Sequence, residues 1–255
     1  MLVAPVRLMN HQVLIEVCVD SVGSAIAAER GGASRVELCS DLLEGGVTPG
    51  AGLIEAVRSS VRIPLHVMIR PRPGDFHYSD EEFDVMRRDI AFARSLRADG
   101  IALGILHTDG RIDVDRTRAL VDVARPLSVT FHRAFDMTSD LTQALKDVQT
   151  AGVNRILTSG GEAGCLQGSE NIASLRKHAN GNIAVMAGGG IRAHNAAEII
   201  ERTGVREIHV GLATSSDSPM VYRNSRVPMG KLPDREYTRS QVQEEDVREL
   251  RRAIS

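Results

Sequence analysis

Along the chain, short runs of β-branched and aliphatic residues alternate with longer stretches in which apolar positions recur at helical spacing. The short runs are Val13–Val19, Arg35–Cys39, Leu65–Ile69, Ile101–Leu106, Ser128–His132, Arg155–Thr158, Ile183–Ala187 and Glu207–Gly211. Strands alternating with helix-length segments predict a parallel sheet with crossover helices. Eight such strands, with no Gly/Ser-rich linker between them, predict a closed single-domain (β/α)8 TIM barrel over residues 1–211. Gly32, Gly152 and Gly204 stand three residues before even-numbered strands, whereas Pro64, Pro126 and the Gly181-Asn182 pair open odd ones. This alternation fits a barrel in which alternate strands supply alternate interior layers.

Helix signals fall between the strands. Ser79-Asp-Glu-Glu82 reads as a capping box ahead of Phe83, Met86, Ile90 and Ala93, and Asp113 precedes a helix that carries Leu120 and Val123 on one side. Gly188-Gly189-Gly190 is expected to open a helix at Ile191. Beyond Gly211 the alternation lapses. Residues 212–255 read as an irregular arm, Leu212–Tyr237, and a terminal helix, Gln241–Ala253, that packs on the barrel or on a neighbouring subunit.

Splitting each strand by parity gives an unusual interior. Ile15, Val17 and Val19 oppose Glu16, Cys18 and Asp20; Val36 and Leu38 oppose Arg35, Glu37 and Cys39; Leu65, Val67 and Ile69 oppose His66, Met68 and Arg70. The fifth and eighth strands repeat the split, with Ser128, Thr130 and His132 on one side and Glu207, His209 and Gly211 on the other. The outer face of a barrel sheet must pack on helices, so the aliphatic sets belong outside. The lumen, ordinarily filled by Val, Ile and Leu, is then predicted to hold ionisable groups. Each needs a partner or water, because an unpaired buried charge costs several kcal/mol.

Composition narrows the range of functions. The 255 residues suit one barrel, and 31 basic against 33 acidic side chains give a formal charge of -2 without a basic run. No nucleic-acid partner is expected. No window approaches a membrane span, and Met1–Gln12 is too short and too broken by Pro5, Arg7 and Asn10 for a signal peptide. The expectation is a soluble cytoplasmic protein with no membrane partner, its three cysteines kept as thiols.

Three groups carry candidate chemistry. Cys18 and Cys39 end adjacent strands with the same parity, strands lie about 4.8 Å apart, and Met68 takes the matching place on the third. Two thiols and a thioether suit Cu(I), though buried Cys and Met also serve as plain hydrophobes. Zinc-finger spacing is absent. Thr158 and Ser159 after the sixth strand, Gly188, Gly189 and Gly190 after the seventh, and Gly211 after the eighth resemble an anion cradle at the end of the barrel where phosphates bind. Finally, Arg70 could hold a carboxylate or phosphate, and His132 could exchange protons with Glu37 or Glu16, with His209 in the same lumen. Arg133 and Asp136 read either as part of this group or as a loop-fixing ion pair. His77, His107, His178 and His194 are expected to face solvent.

Glu16-Val-Cys-Val-Asp-Ser21, Arg35-Val-Glu-Leu-Cys-Ser40 with Glu44-Gly-Gly46, His66-Val-Met-Ile-Arg-Pro-Arg72, Ser128 to Met137, Arg155-Ile-Leu-Thr-Ser-Gly160 and Tyr222-Arg-Asn-Ser225 together resemble the CutC copper homeostasis family from about Leu14 to Gly230. The resemblance implies a cytosolic (β/α)8 barrel, a homo-oligomer such as a dimer or tetramer, linked to copper tolerance and binding Cu(I) through Cys18 and Cys39. Ala187-Gly-Gly-Gly190 departs from the family's usual Pro-Gly-Gly-Gly, and His209-Val-Gly-Leu-Ala213 from its small-residue pattern. Three readings follow: a copper-binding protein, an enzyme acting on a small phosphorylated or carboxylated metabolite at the carboxyl ends of the strands, and a scaffold acting through its arm.

Overall fold

The computed structural model describes residues 12–229 and 235–255. The leader reading of Met1–Gln12 and the start of the predicted barrel at residue 1 therefore fall almost wholly outside the described residues.

Eight parallel strands close into a barrel in chain order: β1 (Leu14–Val19), β2 (Arg35–Leu38), β3 (Leu65–Met68), β4 (Gly100–Leu103), β5 (Ser128–Phe131), β6 (Arg155–Thr158), β7 (Ala184–Gly188) and β8 (Glu207–Val210). Between them lie α1 (Val22–Arg30), α2 (Ala51–Ser60), α3 (Asp80–Ser95), α4 (Val114–Ala124), α5 (Leu141–Thr150), α6 (Ser169–Ala179) and α7 (Ala193–Thr203). The capping box forms as read, with Glu82 N donating to Ser79 Oγ at 3.2 Å and Ser79 N to Glu82 Oε2 at 2.8 Å. Asp113 caps α4 by accepting from Arg116 N. Gly32, Gly152 and Gly204 all take positive φ where the chain turns from helix toward strand, a conformation that side-chain-bearing residues resist.

The segment after β8 is more regular than its sequence suggests. It forms an antiparallel pair, β9 (Ala213–Asp217) with β10 (Thr238–Val242), before α8 (Glu244–Ala253). Gln241 and Val242, expected in the terminal helix, pair with Thr214 and Ala213 instead, and Val242 N donates to Ser24 Oγ at 3.2 Å. The strands are short, polar and exposed, so alternation of apolar residues could not announce them. Val247 and Leu250 of α8 are fully buried, and α8 packs against α7 and α1 as the barrel's eighth helix. It packs tightly on Gly31, where a Cβ would come within 2.5 Å of Val247 Cβ. Helix α7 also starts later than expected, at Ala193 after Arg192, because the Gly189 and Gly190 turn occupies the preceding residues. Among the described residues no helix is long and apolar enough to cross a membrane.

The parity split holds. Ile15, Val17, Val19, Val36, Leu38, Leu65, Val67, Ile69, Val129, Phe131, Ile208 and Val210 share one apolar core with helix residues such as Ile54, Met86, Ile90, Leu120, Ile172 and Ile199. Cys18, Cys39, Met68 and Ala102 form a second, separate cluster. The lumen also holds Leu157, Met186 and the His66 and His132 rings, and its charged side chains toward the amino-terminal ends of the strands are paired. Arg35 binds Glu16 and, at 2.9 Å, Glu207; Arg155 binds Glu207 at 2.5 Å and reaches Ser128 and Thr130. Four charges from four strands thus neutralise one another at the amino-terminal half of the barrel, the arrangement a dry lumen requires.

Strand β4 makes room for this polar filling. Its luminal positions are Gly100, Ala102 and Gly104, just past the strand, and a Cβ on Gly100 would overlap the His66 ring while one on Gly104 would lie 2.6 Å from His132 Cε1. We expect Gly100→Ala to destabilise the protein by about 1–3 kcal/mol, the usual cost of overpacking, in urea denaturation. In a His66→Ala background the same substitution should cost much less; equal costs in both backgrounds would mean that the ring does not occupy that space.

Candidate functional site

Three neighbouring strands deliver the sulfur atoms. Cys18 lies on β1, Cys39 one residue past β2 and Met68 at the end of β3, and parity turns all three inward. The two Sγ atoms are 3.7 Å apart. Cys39 is fully buried and Cys18 is 8% exposed. Cys39 Sγ also lies 3.6 Å from Glu37 Oε2, so a carboxyl joins the two thiols, and one ligand atom from each of the three lies within 4.8 Å of the others. Two metal–sulfur bonds of about 2.3 Å meeting near the tetrahedral angle span about 3.8 Å. The thiol pair therefore fits a metal that takes a further donor, and Glu37 and Met68 are at hand.

Beside the thiols lies a carboxylate–imidazole pair. Glu16 stands opposite His209 across β1 and β8, and His209 Nδ1 is 2.7 Å from Glu16 Oε1. Burial pushes the Glu16 carboxyl up, but the His209 hydrogen bond and the charges of Arg35 and His209 outweigh it and hold the group well below the ordinary range. Glu16 is thus a permanent acceptor, and His209 Nδ1 carries the proton between them. A second grouping of Glu16, Glu37 and His209 has metal-ligand spacing, but that proton and Arg35 already occupy the Glu16 and Nδ1 lone pairs.

The rest of the cluster shares protons. Cys18 is drawn down to about 6, chiefly by the hydrogen bond from Cys39, against the opposing effect of burial and with help from His209. Cys39, donating to Cys18 and buried, is raised. Burial lifts Glu37 to about 8. Burial disfavours charge on His209, but Glu37, Cys18 and Glu16 around the ring raise it well above its usual value. With Glu16 already paired to Arg35, one imidazolium cannot balance both Glu37 and Cys18 ionised. Glu37, whose Oε1 has no partner, is the group that keeps its proton at neutral pH.

Across the mouth, His132 follows β5. Ala134 N donates to His132 Nδ1 at 3.1 Å, which assigns that nitrogen as the bare one and places the proton on Nε2, an atom with no partner among the described residues. Burial, reinforced by the Arg70 charge, lowers His132 to about 3, so the ring is neutral. Arg70 spends most of its fork on loops: Nη1 donates to Glu44 O and Gly46 O, Nη2 donates to Gly74 O, and the guanidinium stacks 5.1 Å over Phe76. Its Nε is unpartnered. The expected anion clamp is therefore mainly a fastener of the β2–α2 and β3–α3 loops. Cys18, Glu37, Met68, Arg70, Phe76, His132 and His209 surround a cavity of about 110 Å³.

The predicted cradle is partly filled by the protein itself. Asp136 accepts from Thr158 Oγ1 at 2.5 Å, from the Ser159 amide and hydroxyl at 3.0 Å and from Gly161 N at 3.1 Å, while Arg133 Nε binds its other side at 2.8 Å. An outside anion at Thr158 and Ser159 must compete with that carboxylate. Gly188 lies within β7, where a Cβ would collide with Leu157 Cδ1. Gly189 and Gly190 take positive φ, Asn195 Nδ2 donates to Gly190 O, and the β7 loop touches the β6 loop at Ser159. Gly211 lies on the exposed rim. His77, His107, His178 and His194 are exposed.

The Arg133–Asp136 ion pair forms as one of the two readings had it, but sequence reasoning did not find the part played by Arg155, the hold of Asp136 on Thr158, Ser159 and Gly161, or the small residues of β4. The alternation Gly100, Ala102, Gly104 at luminal parity was the available signal for the last of these.

The sequence model of the CutC family matches residues 13–214. The chain belongs to the CutC family. Named relatives include the copper homeostasis protein cutC homolog of Mus musculus, 52% identical over 226 residues, covering 88% of this chain and 83% of that protein. The Homo sapiens homolog is 51% identical over 217 residues, 85% of this chain and 80% of its own length. Among solved structures, CutC from Streptococcus agalactiae superposes with a TM-score of 0.75 at 34% identity, covering 78% of this chain and 98% of that one. Thiamine phosphate pyrophosphorylase from Pyrococcus furiosus, at 18% identity and a TM-score of 0.57 over 96% of both chains, shares the fold alone with this CutC-family chain.

The buried neutral His132 gives a pH signature. Its value in the folded protein lies below the about 6.5 of an unfolded chain, so the unfolded state takes up the proton first. Stability from this group is complete above pH about 6.5 and falls as pH drops, by up to roughly 1.4 kcal/mol per unit. Urea denaturation between pH about 7 and about 5 should show a shallower slope for His132→Phe than for the parent; identical slopes would mean that the ring ionises freely when folded.

Proposed function

We propose that this chain is a copper homeostasis protein that binds Cu(I) in the cytoplasm through the thiolates of Cys18 and Cys39. The observation that carries this reading is the 3.7 Å Sγ–Sγ separation in the mouth of the barrel, with the Met68 side chain in the same cluster. A soft, two-thiol donor set favours Cu(I) over hard cations. Cys18, already inclined to lose its proton, supplies the first thiolate, and metal binding displaces the proton of Cys39. Met68 adds a thioether, and Glu37 holds the Cys39 side of the pair.

The names of the mouse and human relatives support the copper assignment. Three free buried cysteines suit a reducing compartment. The chain acts as a homo-oligomer, dimer or tetramer. The arm favours this, since it leaves Met220, Val221, Tyr222, Val227 and Met229 exposed, Val221 by 99%, and apolar surface of this kind is usually covered by a partner.

Competition with a Cu(I) chelator tests the site. The Cys18→Ser/Cys39→Ser double variant should lose more than about a hundredfold in affinity, beyond the 10–100-fold typical of supporting residues, with Met68→Leu losing less. Unchanged affinity in the double variant would remove copper from this site.

A further inference from the structure

Cys39 cannot meet a metal ion while the structure stays as it is. Its side chain has no exposed surface, whereas Cys18 is 8% exposed and lines the cavity in the mouth. Over Cys39 lies a segment of the β2–α2 loop, residues 41–46. Gly46 packs directly on the thiol: a Cβ there would lie 3.1 Å from Cys39 Sγ and 3.7 Å from Met68 Cε. Leu42 packs on the same sulfur cluster, and Gly45 lines the cavity.

This segment is built as a unit. Ser40 and Val47 close its base as a bridged pair, with Ser40 N donating to Val47 O at 3.0 Å and Val47 N to Ser40 O at 2.8 Å. Inside it, Glu44 N and Gly46 N donate to Asp41 O, and Gly45 N donates to Leu42 O. Just outside the base the chain is pinned to strands, since Cys39 N donates to Val19 O and Thr48 N to Arg70 O, each at 2.9 Å. Among the described residues, the hydrogen bonds between residues 41–46 and the body of the barrel all come from one side chain. Arg70 Nη1 donates to Glu44 O at 2.8 Å and to Gly46 O at 2.9 Å. A segment satisfied internally and tied outward by one residue opens locally without unfolding its neighbours.

Arg70 is suited to let it go. Its partners are carbonyl oxygens, so parting from the segment leaves no carboxylate stranded in the interior. The bond from Nη2 to Gly74 O and the Phe76 ring keep the guanidinium in place meanwhile.

We propose that residues 41–46 are a flap that swings away to let Cu(I) join Cys39 to Cys18, and that Arg70 is the residue that holds it shut. The cargo in this inference rests on the copper reading; the flap does not. Closed, it keeps water and competing thiols from Cys39 and Met68. Open, it gives the ion its second sulfur.

Copper-free protein kept reduced with a phosphine and alkylated by iodoacetamide, with each cysteine read by peptide mass spectrometry at short times, tests the flap. When closing outpaces alkylation, the Cys39 rate follows the open population. Arg70→Met, which removes both bonds, should raise that rate at least about tenfold, equivalent to about 1.4 kcal/mol. Arg70→Lys should fall between, and Cys165, buried in the β6–α6 loop, should keep the parent's rate in both variants. In the parent, Cys39 labelling below the unfolding transition should be nearly independent of urea, because opening so short a segment exposes little surface. An unchanged Cys39 rate in folded Arg70→Met, an equal rise at Cys165, or a parent rate that climbs with urea as steeply as global unfolding would each overturn the flap. With copper bound, Arg70→Met should release Cu(I) to a chelator at least about tenfold faster while affinity changes less than about threefold, since uptake speeds up alongside release. An unchanged release rate would show that the flap does not gate the metal. Retention of copper by the Cys18→Ser/Cys39→Ser variant would end the copper reading alone, because the labelling needs no metal.

Discussion

The constraint on which this structure rests is that charges enclosed in a barrel must neutralise one another. Glu16, Arg35, Arg155 and Glu207 come from four strands and make a continuous ion-paired layer. Removing any one strands its partners in a low-dielectric interior, where an uncompensated charge costs several kcal/mol. An ordinary barrel fills this space with branched aliphatics. Here the aliphatics have moved to the outer face, where they join the helices in one apolar core.

That layer sets the chemistry above it. Glu16 serves both levels: one oxygen binds Arg35 and the other binds His209. Because Glu16 stays ionised, His209 must present Nδ1–H to it, and Nε2 at the opposite edge of the ring lies 3.8 Å from Glu37 Oε2. His132 is set independently, by the Ala134 amide. Two luminal histidines are thus set by different neighbours: Glu16 keeps a proton on His209 Nδ1, and the Ala134 amide keeps His132 Nδ1 bare. Arg70, Asp136 and Arg133 hold the surrounding loops, so the mouth is built from short strands and clipped turns.

Much of this was legible in the sequence. Period-2 alternation in β1, β2, β3, β5 and β8 identified the inward residues, because in a barrel packed by helices only one face can be aliphatic. What escaped was information carried by pairing. Arg155 has no polar neighbour of its own parity in β6, so its bond to Glu207 two strands away is visible only once the barrel closes. Thr158 and Ser159 look like an anion site because they are one; the anion is Asp136, supplied by the β5 loop. The β9–β10 pair is stabilised by backbone hydrogen bonds between polar residues, which leave no hydrophobic period to read. Gly100 and Gly104 were passed over because an absent side chain signals nothing until the ring that fills its place is known.

The most direct test of this account is ¹⁵N NMR of the histidine rings in copper-free protein at neutral pH. His132 should appear as the neutral Nε2–H tautomer with Nδ1 bare, and His209 as an imidazolium with Nδ1–H held toward Glu16. A His132 ring that is cationic or protonated on Nδ1, or a His209 ring with Nδ1 bare, would show that the lumen is not wired by these contacts and would contradict the account at its base.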